Sequence, residues 1–187
     1  MSARRSHPVR GAILALAAAL ATTTLVACDA ADPLGLRAEP AREVVAPLEH
    51  TGRVVDQANL IDAPQERVLL EKLERVERDT MAQLVVVTTP SLQGYSIEDY
   101  SLALGRGWGI GDRERDDGVL LVIAPNERKV RIEVGYGLEQ QLDDVLAAEI
   151  IEDMMPHFRN GQYQPGIETG VDEIGARLRE FSMKEAA

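Results

Sequence analysis

The chain has 187 residues, 45% of them hydrophobic and 4% aromatic, with 31 acidic against 20 basic side chains and a formal net charge of −11. A surface of that sign repels phosphate backbones, and so few aromatic rings give no stacking platform for bases, which disfavours nucleic acid as a partner and favours metal cations or cationic surfaces. The length suits one domain with its own core, and solubility by itself also accounts for an acidic balance.

The first 27 residues carry Arg4, Arg5 and Arg10, no acid, and an apolar run over residues 11–21 that is too short to span a bilayer as a normal helix. A charged start, a short apolar middle and small residues at the end describe a secretory signal peptide over residues 1–27. Leu25-Val26-Ala27-Cys28 is similar to a bacterial lipobox, which implies a lipoprotein whose acylated Cys28 inserts into the lipid bilayer. The other reading is an ordinary signal peptide that leaves Cys28, the single cysteine, as an unpaired thiol. Asp29, next to Cys28, resembles the residue that retains some lipoproteins in the inner membrane on the periplasmic side. Residues 28–50, with Pro33, Pro40 and Pro47 and no sustained period, read as a flexible linker.

Within the domain, residues 51–181, Arg53 to Asp56 suggests a short strand ending at an acid. Asp62 then serves as the N-cap of a helix with Pro64 in its first turn and Val68, Leu69, Leu73 and Val76 as its apolar stripe. Residues 83–89 read as a buried strand, and Ser96 with Asp99 caps a helix that runs to about Trp108. The glycines at 105, 107, 109 and 111 follow a helix rather than a strand and no Lys-Ser or Lys-Thr pair follows them, so they read as a helix C-cap and flexible loop, not a nucleotide loop.

Residues 116–144 organise the rest. The continuous apolar run Val119 to Ile123 suits a strand covered on both faces, the alternating Val130, Ile132 and Val134 suit a half-exposed one, and Pro125 to Arg128 makes the turn between them. Folding back puts Asp116, Asp117 and Gly118 beside Gly135, Tyr136 and Gly137. Glu139 follows, and Asp143 and Asp144 open a helix marked by Val145, Leu146, Ile150, Ile151, Met154 and Phe158 and ended by Asn160-Gly161. One rim thus collects carboxylates, glycines and helix-start amides. Taken singly, Asp143 and Asp144 are helix caps and Asp116-Asp117-Gly118 a turn; their convergence is what suggests an oxygen-rich site for Ca²⁺, with Mg²⁺ second. Zinc lacks ligands, since the histidines are only His7, His50 and His157. A last helix over about 166–181 turns Ile167, Val171, Ile174 and Leu178 inward, and residues 182–187 form a tail. The alternation of strands and helices predicts an α/β fold, a three-layer α/β/α sandwich with a small mixed sheet, helices on both faces and right-handed crossovers.

Several of these segments together resemble the TPM domain family: Val54-Val55-Asp56 with Leu60-Ile61, Trp108-Gly109-Ile110-Gly111, Asp117-Gly118-Val119-Leu120-Leu121, Arg131 to Glu139, and Pro156-His157-Phe158 with Gly161-Gln162-Tyr163 and Gly166-Ile167. The resemblance covers about residues 50–180. It implies an α/β/α sandwich on the extracytoplasmic side of a membrane, with an acidic cluster that binds calcium or another divalent ion in some members. It also adds Asp56 to the candidate metal residues, on the family pattern only, because parallel crossovers put the end of its strand at the opposite rim. Asp116-Asp117 stands where Asp-Asn is common, and the C-terminal membrane segment of many relatives has no counterpart, the lipid on Cys28 supplying the tether instead. Two functions follow from the resemblance: an accessory or quality-control module for membrane protein complexes, or a divalent-metal-dependent acid phosphatase. No Gly-x-Ser-x-Gly or cysteine nucleophile motif is present, although Arg128 or Arg131 could contact a phosphate.

Overall fold

The computed structural model describes residues 46–185; the leader, Cys28, Asp29 and the linker as far as residue 45 lie outside the described residues. The elements are β1 (Val54–Asp56), α1 (Ala63–Thr80), β2 (Gln83–Thr88), α2 (Ile97–Trp108), β3 (Gly118–Ala124), β4 (Lys129–Val134), a 3-10 turn (Tyr136–Leu138), α3 (Asp144–Arg159) and α4 (Tyr163–Glu185). The strands lie in the order β1-β2-β3-β4, with the first three parallel and β4 antiparallel to β3. The hairpin has the expected register, Val119 opposite Val134 and Ala124 opposite Lys129. Every residue of β3 is buried, as its unbroken apolar run requires, whereas β4 buries only Ile132.

Alternate side chains of the strands face two cores. Leu84, Val86, Leu121 and Ile123 pack with α1, α3 and α4; Val85, Val87, Leu120 and Val122 pack with Ile97, Tyr100 and Leu104 of α2. This is the three-layer sandwich, with three helices on one face of the sheet and one on the other. The expectation of right-handed crossovers fails for one of the two connections. β1 to β2 and β2 to β3 step the same way across the sheet, yet α1 and α2 lie on opposite faces, so the two crossovers have opposite hands. The face bearing α1 is also filled by α3 and α4, which leaves the other face for α2.

The helix starts follow from local chemistry. Asp62, Ser96 and Asp143 are N-caps whose side chains accept from the amides of Gln65, Asp99 and Leu146. The stripe of α1 is rotated slightly from the expected one: Leu69, Leu73 and Val76 are buried, but Val68 is 49% exposed. Val145, expected to mark the inner face of α3, is 66% exposed, and Ala147 is buried instead. In both helices two adjacent apolar residues compete for one inward position, and pattern by itself does not choose between them. Helix α4 starts three residues earlier than expected and runs on to Glu185. At the other end, Ala46 and Leu48 pack against the α2 core, the Trp108 indole N–H donates to the Leu48 carbonyl (2.8 Å) and His50 stacks on the Trp108 ring at 4.9 Å.

Glu173 on α4 gives a pH-dependent prediction. Burial, then the nearby Asp153 carboxylate on α3, raises its pKa, with Arg177 opposing. A folded-state pKa above the unfolded one means that the native state holds the proton more tightly, so stability falls as the pH rises from the unfolded pKa through the folded one. Glu173→Gln is therefore expected to raise the melting temperature at pH 7 and to leave it unchanged at pH 3, as read by calorimetry. A lower melting temperature at pH 7 contradicts this.

Candidate functional site

The hairpin closes on its own glycines at the end opposite its turn. The Gly135 amide donates to the Gly118 carbonyl (2.8 Å) and the Gly137 amide to the Asp116 carbonyl (3.1 Å). A Cβ on Gly135 would collide with the Asp116 carbonyl oxygen, and one on Gly137 with that of Arg115. Side-chain-free residues are thus what lets the segment after β4 lie against the segment before β3. From the other side Gly111, at φ +89, packs against Gly118, and its amide donates to the Gln83 side chain (2.7 Å). The helix C-cap expected in this glycine run is Gly109, but the loop after it is packed closely rather than hanging free.

Residues 112–117 form a stitched loop. Asp112 accepts from the amides of Glu114 (3.0 Å) and Arg115 (3.2 Å), its carbonyl accepts from the Asp116 amide (2.8 Å), and its own amide donates to Asp117 Oδ1 (2.7 Å). Those two amide hydrogen bonds, Glu114 first, lower the Asp112 pKa. The other oxygen of Asp117 accepts from Arg115 Nε (2.6 Å), and this bond raises the Arg115 pKa. Asp117 is 5% exposed, and both of its oxygens are engaged within the loop. Asp116, one residue earlier at φ +47, faces the other way.

A cavity of about 370 Å³ opens between the end of α2, the rim of the hairpin and the start of α3. Of the expected residues, Asp116, Glu139, Asp144, Gly118, Gly135 and Tyr136 all line it, and the Tyr136 ring is 77% exposed at its edge. Asp117 and Gly137 line a separate depression beneath α1 and α4. Asp143 is held as a cap by the Leu146 amide (2.9 Å) and does not line the cavity. Asp56 is at the far end of the sheet, where its carboxylate accepts from the Leu60 (3.0 Å) and Ile61 (2.9 Å) amides and the Thr88 hydroxyl, and so shapes the loop into α1.

For a hard cation the donor chemistry fits only in part. Asp116, Glu139 and Asp144 are exposed carboxylates without an ion pair or side-chain hydrogen bond among the described residues, and glycine carbonyls lie close by. Asp117 does not fit, because a guanidinium already occupies the position a cation would take. Among the described residues no three acidic, histidine or cysteine side chains are grouped as a formed metal site.

Arg131, named from the sequence as a possible phosphate contact, lines the same cavity, and so do Arg106, Arg113 and Glu133, which the charge pattern conceals. Arg131 is paired with Glu133 (2.9 Å), which also accepts from the Ser101 hydroxyl (2.8 Å), while Arg106 and Arg113 have no ion pair among the described residues. The alternating acids and arginines of residues 112–117 were the available signal for Arg113 and Arg115.

Comparison with known proteins gives a match to the family model described as the TPM domain over residues 54–177. The solution structure of the N-terminal domain of a protein from P. gingivalis shares 40% identity over 67% of this chain and 81% of its own, with a TM-score of 0.63. The BA42 protein from the psychrophilic bacterium Bizionia argentinensis (16% identity, 65% and 83% covered, TM-score 0.58) shares the fold. So does the N-terminal domain of the cg2496 protein from Corynebacterium glutamicum (15%, 70% and 82%, TM-score 0.56). A search of curated proteins finds no match.

Proposed function

The chain belongs to the TPM domain family, and from that premise we propose that it is a membrane-tethered, extracytoplasmic module that binds a divalent cation, Ca²⁺ before Mg²⁺, and serves as an accessory or quality-control factor for a membrane protein complex. The observation that carries this reading is the placement of three carboxylates, Asp116, Glu139 and Asp144, unpaired among the described residues, around one glycine-framed cavity. Three like charges in a shared cleft repel one another, and a doubly charged ion relieves the part of that repulsion which Arg106 and Arg113 in the same cavity leave in place. Few ligands on exposed side chains correspond to weak affinity, about 10⁻⁴–10⁻³ M as in extracellular calcium modules. The lipid on Cys28 would hold the domain at the bilayer on the periplasmic side, with the inner membrane favoured by the resemblance of Asp29 to a retention residue. No helix among the described residues is long and apolar enough to cross a membrane.

The phosphatase reading has one observation in its favour: the guanidinium groups of Arg106 and Arg113, without an ion pair among the described residues, share the cavity with those carboxylates. A bound cation would neutralise phosphate charge there, the arginines would orient the phosphate, and Asp116 or Glu139 could take a proton from an attacking water. Among the described residues no serine, threonine, cysteine or histidine lines the cavity to serve as a nucleophile.

Calorimetric titration tests both readings. The wild-type chain is expected to bind Ca²⁺ saturably, and Asp116→Asn combined with Glu139→Gln to weaken binding by about tenfold or more, equivalent to ~1.4 kcal/mol. Unchanged affinity in that variant contradicts the proposal. Hydrolysis of p-nitrophenyl phosphate that disappears in the same variant and in Arg113→Gln selects the phosphatase.

A further inference from the structure

The opposite end of the molecule holds a cavity of different character. It lies between the hairpin turn and the end of α3, has a volume of about 450 Å³ and is lined by Arg128, Lys129 and Arg159 together with Met155, Phe158 and Tyr163. No acidic residue lines it, and none of its three cations has an ion pair among the described residues. On a chain of net charge −11, three uncompensated cations around one cavity are not accounted for by average surface composition.

The local structure explains how they are presented. The turn is tied down on its far side, where Glu127 accepts from the Leu92 amide (2.9 Å) and the Asn126 side chain donates to the Pro90 carbonyl (2.7 Å). The one acid of the turn is thereby engaged away from the cavity, and Arg128, at φ +54, and Lys129 remain on the cavity side. Facing them, the rings of Phe158 and Tyr163 pack at 5.4 Å and 32°, and Gly166 leaves the space that the Phe158 ring occupies. Arg159 also complements the negative end of the α3 dipole. That role needs neither the aromatic wall nor two further cations from a different element.

We propose that this cavity binds an organic anion, specifically a phosphate ester with an apolar or aromatic arm: the guanidinium and ammonium groups take the phosphate oxygens, and the Phe158, Tyr163 and Met155 surfaces take the arm. Such an ester can be a soluble metabolite or the headgroup of an anionic lipid. The site is separate from the acidic cavity, with which it shares no lining residue.

Titration of the isotope-labelled whole chain with phenyl phosphate, followed through amide resonances, tests this. Saturable shifts at Lys129, Phe158 and Gly161 are expected, with affinity about tenfold above that for inorganic phosphate. The combined exchange Arg128→Gln, Lys129→Gln and Arg159→Gln is expected to lower it by at least about tenfold while leaving amides elsewhere unmoved. Competition by phosphatidylglycerol vesicles, but not phosphatidylcholine vesicles, assigns the site to a lipid headgroup; phenyl phosphate binding indifferent to both assigns it to a soluble ester. Absence of saturable shifts, shifts centred on Asp116, Gly135, Glu139 and Asp144, or affinity unchanged by the triple exchange overturns the proposal.

Discussion

Asp117→Ala is expected to lower stability by about 2 kcal/mol, because the Asp112 amide and the Arg115 guanidinium both lose their acceptor at a buried position. Arg115 is half exposed, so water takes over much of its share, and the loss comes chiefly from the amide bond and the collapse of the stitched loop. For a domain of this size the shift is roughly 4–8 °C in melting temperature. Asp117→Asn, which keeps an oxygen for the Asp112 amide, is expected to cost less than half as much. Calcium affinity should hardly change in the asparagine variant, since Asp117 has no oxygen to spare for a cation. Thermal denaturation and calorimetry of the two variants check both halves. An intact melting temperature together with lost calcium binding would show that Asp117 is a ligand and not a structural residue.

Gly137→Ala is expected to cost more, about 3 kcal/mol, near the upper end of what overpacking does. The new methyl group would meet the Arg115 carbonyl oxygen, and the next nearest obstacle is the Asp116 carbonyl, so backbone has to retreat on one side or the other. Retreat also breaks the hydrogen bond from the Gly137 amide to Asp116. A useful contrast is Gly161→Ala, which meets open space and is strained only by φ +71, a cost of about 1 kcal/mol. Denaturant unfolding should rank the two in that order. The reverse order, or equal effects, would mean that the close approach of the two segments is not a constraint on the fold.

The sequence made the rim legible as backbone but not as side chains. Pattern was sufficient for the hairpin, because β3 is apolar throughout, β4 alternates, and the turn residues fix the register that brings Gly118 to Gly135. It was sufficient too for the three N-caps at Asp62, Ser96 and Asp143, where a single short side chain decides the geometry. Pattern does not tell which of two adjacent acids turns inward. Asp116 ends the turn in the left-handed region while Asp117 leads into β3, so the two line different cavities, and the position of Arg115 reveals that Asp117 is the buried one. Chain order likewise cannot show that α2 takes the face opposite α1, since that depends on where α3 and α4 pack much later in the sequence. Strand direction places Asp56 at the far rim, as observed, away from the other metal candidates with which the family pattern groups it, and there its carboxylate makes three hydrogen bonds that shape the loop.

The acidic cavity and the basic one sit at opposite ends of the same hairpin, one at the open ends of β3 and β4 and the other at their turn. Under the two proposals, ligands of opposite sign would have separate places to bind, a cation among the carboxylates at one end of the strands and an anion among Arg128, Lys129 and Arg159 at the other.

The claim on which the functional account rests is that a divalent ion is held by Asp116, Glu139 and Asp144. Substoichiometric Mn²⁺ added to the isotope-labelled chain reads this most directly, because the ion broadens the amide resonances nearest to it. The account predicts that Asp116, Gly135, Glu139 and Asp144 disappear first and reappear on adding excess Ca²⁺, with Lys129 and Gly161 unaffected. Broadening spread evenly over the acidic surface, or centred on the glutamates of α1, would contradict it.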